Sequence, residues 1–220
     1  MFKVILVLLT LILAACQPLP AVQVTPQAPL KVSVSPSLNW LENDLAACAA
    51  SAGTAVQRAD SESVDADILL QLGGNENEAY AAVLGQEQLA VIVHPNNPLT
   101  EVSLEDAQAI FSGQMTTWPD GSEILAWSLP ASSDVHAALL EAGFAFNRNG
   151  LAANPQIMLT AVAGNPAAIG YLPVQWVDDS VRVLEVTGLQ IEIPILAISA
   201  QEPQGQARAL LVCLQEKIAP

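Results

Sequence analysis

Two serines stand where a strand gives way to a helix, Ser35 and Ser37 on either side of Pro36. A hydroxyl at such a turn has two uses. It can accept from the free N–H groups of the first helical turn, which is ordinary N-capping. It can also join those N–H groups in holding an anion or another polar ligand at the positive end of the helix dipole. Both readings stand for Ser35 and Ser37. Arg148, in the loop Phe146-Asn147-Arg148-Asn149-Gly150, offers a guanidinium fork that suits a carboxylate or phosphate. The alternative for Arg148 is a solvated surface charge. Catalysis has little to work with. The chain contains 2 histidines, His94 and His136, and neither sits in a Gly-x-Ser-x-Gly or His-Glu-x-x-His setting. Asp134 and His136 are two apart, which turns them to different faces of a helix, and His136 reads as a surface residue. No cluster of cysteine or histidine has metal-ligand spacing. No enzyme, metal or cofactor is expected.

The elements that must position these residues can be read in order. Leu30–Ser35 reads as a strand, and Pro36 begins a helix with Leu38, Leu41, Leu45 and Cys48 on one face, ended by Gly53. Thr54–Arg58 and Ala66–Leu72 read as further strands. Leu89-Ala90-Val91-Ile92-Val93 is a short apolar run rich in β-branched residues. It suits a strand buried on both faces, as in a parallel sheet covered by helices. His94-Pro95-Asn96-Asn97-Pro98 stops it, since proline cannot donate to a ladder and Asn-Pro favours turns. Ser103 and Asp106 cap a helix that ends at Ser112-Gly113. Glu123–Ser128 is a strand, and Pro130–Asp134 leads into a helix ended by Gly143. Asn154-Pro155 starts another that runs to Ala163. Ala167–Leu172, Val181–Val186 and Ile191–Ile198 are strands, Pro173–Val177 a short helix, and Ala207–Ile218 a final helix. Strands alternate with helices, so the fold class is α/β. No repeat of 20 to 50 residues is visible.

Composition narrows the function. The chain has 220 residues, 52% of them hydrophobic, enough for one large or two small domains. Its net charge is −15, from 22 acidic and 7 basic residues. Nucleic acid and anionic membrane surfaces both call for basic patches, and the balance excludes them as partners. An anionic small ligand stays open, because a pocket can use backbone dipoles in place of net charge. Met1-Phe2-Lys3 and the apolar run Val4–Leu13 fit a secretory signal over residues 1–15. That run is too short to span a bilayer, which takes roughly 20 residues. Leu13-Ala14-Ala15-Cys16 reads as a lipobox with Cys16 as the lipidated first mature residue. The alternative is an ordinary signal beside a chance cysteine. Gln17 is no aspartate, so nothing argues for inner-membrane retention. Residues 16–29, rich in proline, read as an extended tether.

The order of a valine-rich strand, His94-Pro95-Asn96-Asn97-Pro98 and Ser103-Leu104-Glu105-Asp106-Ala107-Gln108-Ala109-Ile110-Phe111-Ser112-Gly113, with Trp118 following, resembles a known family. So does Ala168-Ile169-Gly170-Tyr171. Both are similar to the phosphate-type substrate-binding proteins of bacterial ABC importers, in the type II periplasmic-binding-protein-like superfamily. Outside Val91–Trp118 and this later strand the likeness is one of order and spacing. The resemblance implies two lobes, each a mixed sheet flanked by helices: residues 30–93 with 190–220, and residues 94–189. Hinge crossovers would fall near His94–Asn97 and Thr187–Gln190. It implies a monomer that closes on a small ligand or oxyanion and delivers it to an ABC permease. It raises the ligand reading of Ser35 and Ser37, and gives His94 a structural role.

The family's Ser-Gly-Thr loop, usually followed by arginine, falls on Ala131-Ser132-Ser133-Asp134. Ser132 and Ser133 keep the hydroxyls, while the glycine and arginine are missing. Asp134 near a helix N-terminus would repel a second anion. The polar Ser or Asp expected near the end of the third strand is replaced by Leu69, Leu70 and Gln71, with Gln71 the remaining polar candidate. Phosphate-specific contacts are therefore largely absent. With Cys16 lipidated, Cys48 and Cys213 remain, and in an exported chain they are expected to pair. Since the family's last helix packs beside its first, such a disulfide would join the two ends of the chain. Two separate buried thiols are the alternative. A degenerate relative, kept as a sensor or interaction protein without transport, competes with the transport reading.

Overall fold

The computed structural model describes residues 28–59, 65–74, 80–147 and 150–218. The leader, Cys16, most of the tether and Arg148 lie outside the described residues.

Strand β1 (Leu30–Val34) runs into a 3₁₀ turn (Pro36–Leu41) and then helix α1 (Glu42–Ser51). Pro36 suits this entry because its missing N–H is one that a helix start leaves unpaired anyway. Strands β2 (Val56–Ala59) and β3 (Ile68–Leu72) pair in parallel on the two sides of β1. Next comes β4 (Tyr80–Val93), a single strand of 14 residues. Strand β5 (Glu101–Ser103) and helix α2 (Leu104–Phe111) follow. The Ser103 hydroxyl accepts from the Asp106 N–H at 3.0 Å and donates to its carboxylate at 2.8 Å, the capping expected from the spacing. Then come β6 (Leu125–Ser128), α3 (Asp134–Glu141), β7 (Gly150–Leu151), α4 (Pro155–Ala163) and β8 (Ala168–Pro173). A 3₁₀ turn at Val174–Trp176, β9 (Arg182–Thr187), β10 (Glu192–Ser199) and α5 (Gly205–Ile218) complete the chain.

The strands make two mixed sheets that share β4. The first has the order β2-β1-β3-β10-β4, with β10 antiparallel to both β3 and β4. The second has the order β4-β8-β6-β7, and β9 joins β4 to β5. The partner change lies inside β4. Tyr80–Gln88 pair with β10, whereas Leu89–Val93 pair antiparallel with β8, and Val91–Val93 also with β9. The chain returns to the first sheet between β9 and β10.

Two features differ from the sequence reading. Leu89 is half-buried and Ala90–Val93 are buried, Ile92 and Val93 fully so, but the strand's neighbours are antiparallel. An apolar run reports burial on both faces and says nothing about the direction of its partners. The same strand also begins nine residues earlier than its apolar stretch.

The Ile-Gly-Tyr strand has a packing reason for its glycine. A Cβ on Gly170 would lie 2.5 Å from the Met158 sulfur, so glycine lets α4 close onto β8. At the chain ends α5 packs on α1, and Cys48 and Cys213 form a disulfide between them, 165 residues apart. Among the described residues no helix is long and apolar enough to cross a membrane.

Candidate functional site

The C-terminal ends of β1, β3 and β6 open onto a cleft between the two lobes, as expected for ligand sites in open α/β sheets. The cleft has a volume of ≈ 190 Å³. From the first lobe it is lined by Ser35, Leu69 and Gln71; from the second, by Ser132, Ser133, Asp134 and Asn154. Among the described residues its lining contains no lysine or arginine. Of the predicted site residues, Ser35, Gln71, Ser132 and Ser133 thus meet in one place. Ser37 lies just behind Ser35, buried at 1% exposure.

The centre of the arrangement is Asp134. Its Oδ2 accepts from the Ser35 hydroxyl at 2.6 Å and from the Leu72 N–H at 3.0 Å. Its Oδ1 accepts from the Ser37 hydroxyl at 2.5 Å and from the Val135 N–H at 2.8 Å. Three of these four donors come from the first lobe, while Asp134 begins α3 in the second. The Ser35 hydroxyl also accepts from the Ser37 N–H at 3.2 Å, so it caps the 3₁₀ turn and binds the carboxylate at once. The capping use expected of this serine is thus observed, while its hydroxyl proton goes to the chain's own Asp134. A second bond between the lobes runs from the Trp176 indole N–H to the Ser37 carbonyl at 2.7 Å.

The other candidates are less engaged. Gln71 turns its amide N–H onto the Gly73 carbonyl at 3.1 Å, bracing its own turn. Ser133 occupies the N-cap position of α3 but makes no side-chain capping bond. By contrast Asn154 caps α4 by accepting from the Ile157 N–H at 3.0 Å.

The loop that carries Ser132–Asp134 is held from beneath. The Leu129 N–H donates to the Tyr171 hydroxyl at 2.9 Å, and Tyr171 Oη lies 2.8 Å from His136 Nδ1. Burial pushes the Tyr171 phenol well above its ordinary range, so it stays protonated. By its sequence setting His136 reads as a surface residue. It is buried at 8% exposure, with its ring centroid 4.4 Å from that of Phe146. The aromatic cluster of Phe111, Phe144, Phe146 and Tyr171 accounts for this, since the imidazole fills its edge while keeping a polar partner. His94 has the structural role expected of it, its Nδ1 accepting from the Asn96 N–H at 3.1 Å. Arg182, which the sequence reading passed over, pins the same turn by donating to the Asn97 and Leu99 carbonyls.

At the partner change in β4 lies one more ionisable group. Glu87 is 3% exposed, and burial raises its carboxyl to about 7, opposed in part by the N–H groups of Gln88, Gln175 and Val174. Its Oε2 has no hydrogen-bond partner. Among the described residues no group of three or more His, Cys, Asp or Glu could hold a metal ion.

Asp134 and Trp176 are the site residues that sequence reasoning missed. The available signal was an acid in the first turn of a helix, unaccompanied by a base, in a chain with a Ser-Pro-Ser turn elsewhere.

The fold and the cleft together define a binding-protein architecture. Residues 8–217 match the family model described as PBP superfamily domain, and the chain belongs to that superfamily. No curated protein matches. Among solved structures, one is described as a phosphate ABC transporter substrate-binding protein with bound phosphate from Clostridium perfringens. It is 20% identical over 85% of this chain and 93% of its own, with a TM-score of 0.76. An ABC-type phosphate transport receptor from Vibrio cholerae is 17% identical over 85% of this chain and 93% of its own, at a TM-score of 0.65. The reduced OxyR regulatory domain from Pseudomonas aeruginosa is 14% identical over 86% and 97%, at 0.63. At these identities the likeness is one of fold, and it spans both transport receptors and a regulatory domain.

Proposed function

We propose that the chain is an extracytoplasmic solute-binding protein of an ABC importer. In this reading it is exported by its leader, anchored to the bacterial membrane through a lipid on Cys16, and acts as a monomer. Its two lobes close on a small ligand that is passed to a membrane permease. In this reading the lobes divide near the pairing change in β4, at Gln88/Leu89, and the chain returns at Leu189–Ile191, close to the bounds at residues 93/94 and 189/190 expected from the sequence. The observation that carries the reading is the cleft, lined from both lobes by polar side chains in a chain of this superfamily. The ligand we propose is small, polar and uncharged. Gln71, Ser132, Ser133 and Asn154 offer hydrogen-bonding groups without charge, and among the described residues no cation lines the cleft to neutralise an anion.

A second reading, a binding-protein-like lipoprotein that senses or docks without transporting, is favoured by Asp134. Its carboxylate takes up the donors on which a ligand would depend. A thermal-shift screen of the full chain in detergent separates the two. Uncharged amino-acid amides, polyols and small sugars would be tested beside phosphate, sulfate and molybdate. A ligand at a hundredfold its dissociation constant adds about 2.7 kcal/mol. A shift with an uncharged solute supports transport, whereas no shift with any solute overturns it and points to a protein partner.

A further inference from the structure

We infer that Asp134 is a tethered occupant of the oxyanion seat: its carboxylate fills the place of an anionic ligand, latches the lobes together and excludes free oxyanions. The inference rests on the reading of this cleft as a ligand site and specifies which ligand class that site rejects.

A carboxylate has about four hydrogen-bond-accepting positions. All four are matched here by Ser35, Ser37, Leu72 and Val135, at 2.5 to 3.0 Å. Two of the donors are hydroxyls and two are backbone N–H groups. This is the kind of donor set that would otherwise receive two oxygens of a tetrahedral oxyanion. The occupant differs from a free ion in being covalently attached to the opposite lobe. The protein therefore makes in cis the same cross-lobe contacts that a ligand would make, and the Trp176 bond to Ser37 completes the closure. A free oxyanion would have to displace a group whose effective concentration is fixed by the chain. It would also lie beside that group's negative charge, with no lysine or arginine among the described residues that line the cleft. Simple capping of α3 does not explain the placement. A first-turn aspartate serves the helix dipole whichever way it leans, yet this one reaches across the cleft to three groups of the other lobe.

The test is isothermal titration of the full chain in detergent with inorganic phosphate and sulfate, comparing the natural protein with Asp134→Gly and Asp134→Asn. Removing the carboxylate is expected to tighten phosphate binding at least tenfold in Asp134→Gly, and by a smaller factor in Asp134→Asn, which keeps the side-chain shape. Adding Ser35→Ala and Ser37→Ala to Asp134→Gly is expected to abolish the gain. If Asp134→Gly fails to fold, Asp134→Asn alone decides by the sign of its change. Phosphate binding by the natural protein as tight as by the variants overturns the inference, and so does an absence of binding in all of them. Either result leaves the uncharged-ligand reading to its own screen.

Discussion

The two strand-to-helix turns that face each other across the cleft are built alike and do opposite things. In the first, Ser35-Pro36-Ser37 presents hydroxyls and a helix start, a donor surface. In the second, Ser132-Ser133-Asp134 occupies the corresponding place in the other lobe and delivers a carboxylate. The difference shows that a donor surface at a helix end does not by itself announce a ligand. It needs an acceptor, and here the opposite turn contains one. The turns also differ in support. The first leads into α1, which is tied covalently to α5 through Cys48 and Cys213. The second rests on a hydrogen bond from Leu129 to Tyr171 and on the aromatic cluster below.

That contrast can be probed by weakening each side in turn. The largest effect is expected from the first lobe: replacing Cys48 and Cys213 together by alanine should lower stability by about 2–5 kcal/mol, read from denaturant melts. A loss well under 1 kcal/mol would mean that α1 and α5 hold that lobe without the bond.

The junction between the lobes should respond to pH. Glu87 has its folded pKa raised to about 7 from an ordinary 4.5. Between those values the unfolded chain has lost the proton and the folded chain retains it. Its contribution to stability is therefore full below pH ~4.5 and lost as pH rises to ~7, by up to about 1.4 kcal/mol per pH unit. Glu87→Gln should flatten that part of the stability profile. An unchanged slope would place the titration elsewhere.

The smallest effects concern the second lobe's helix starts. Asn154→Ala should cost about 1 kcal/mol, because its side chain caps α4. Ser133→Ala should cost under about 0.5 kcal/mol, because it makes no capping bond. Equal losses would show that Ser133 is engaged after all.

Much of the fold was legible where a single residue type has a single local job. Ser103, Asn154-Pro155 and the glycines after helices, with Gly113 at φ 76° and Gly143 at φ 84°, mark their boundaries in sequence and in structure alike. What was not legible depends on distant partners. Tyr80–Gln88 mixes alanine and glutamine with a glycine and a glutamate and has no strong strand signature. It is extended because β10 pairs along it. Strands β5 and β7 span only 3 and 2 residues, too short for a period to show. His136 gives no local hint of the aromatic edge that it fills. The site divided in the same way. That serines would gather at strand-to-helix turns could be read from Ser35 and Ser37. That Asp134 would meet them could not, since the contacts join residues 99 and 97 apart. In sequence that aspartate reads only as a charge repelling anions; in the fold it is the anion.

Strand β4 adds a consequence for how the molecule is divided. Because its two halves serve different sheets without a break, neither lobe owns a complete set of central strands. Cutting the chain between them would leave each sheet with half of a shared beam and an open edge. The lobes are thus two shapes built on one continuous strand.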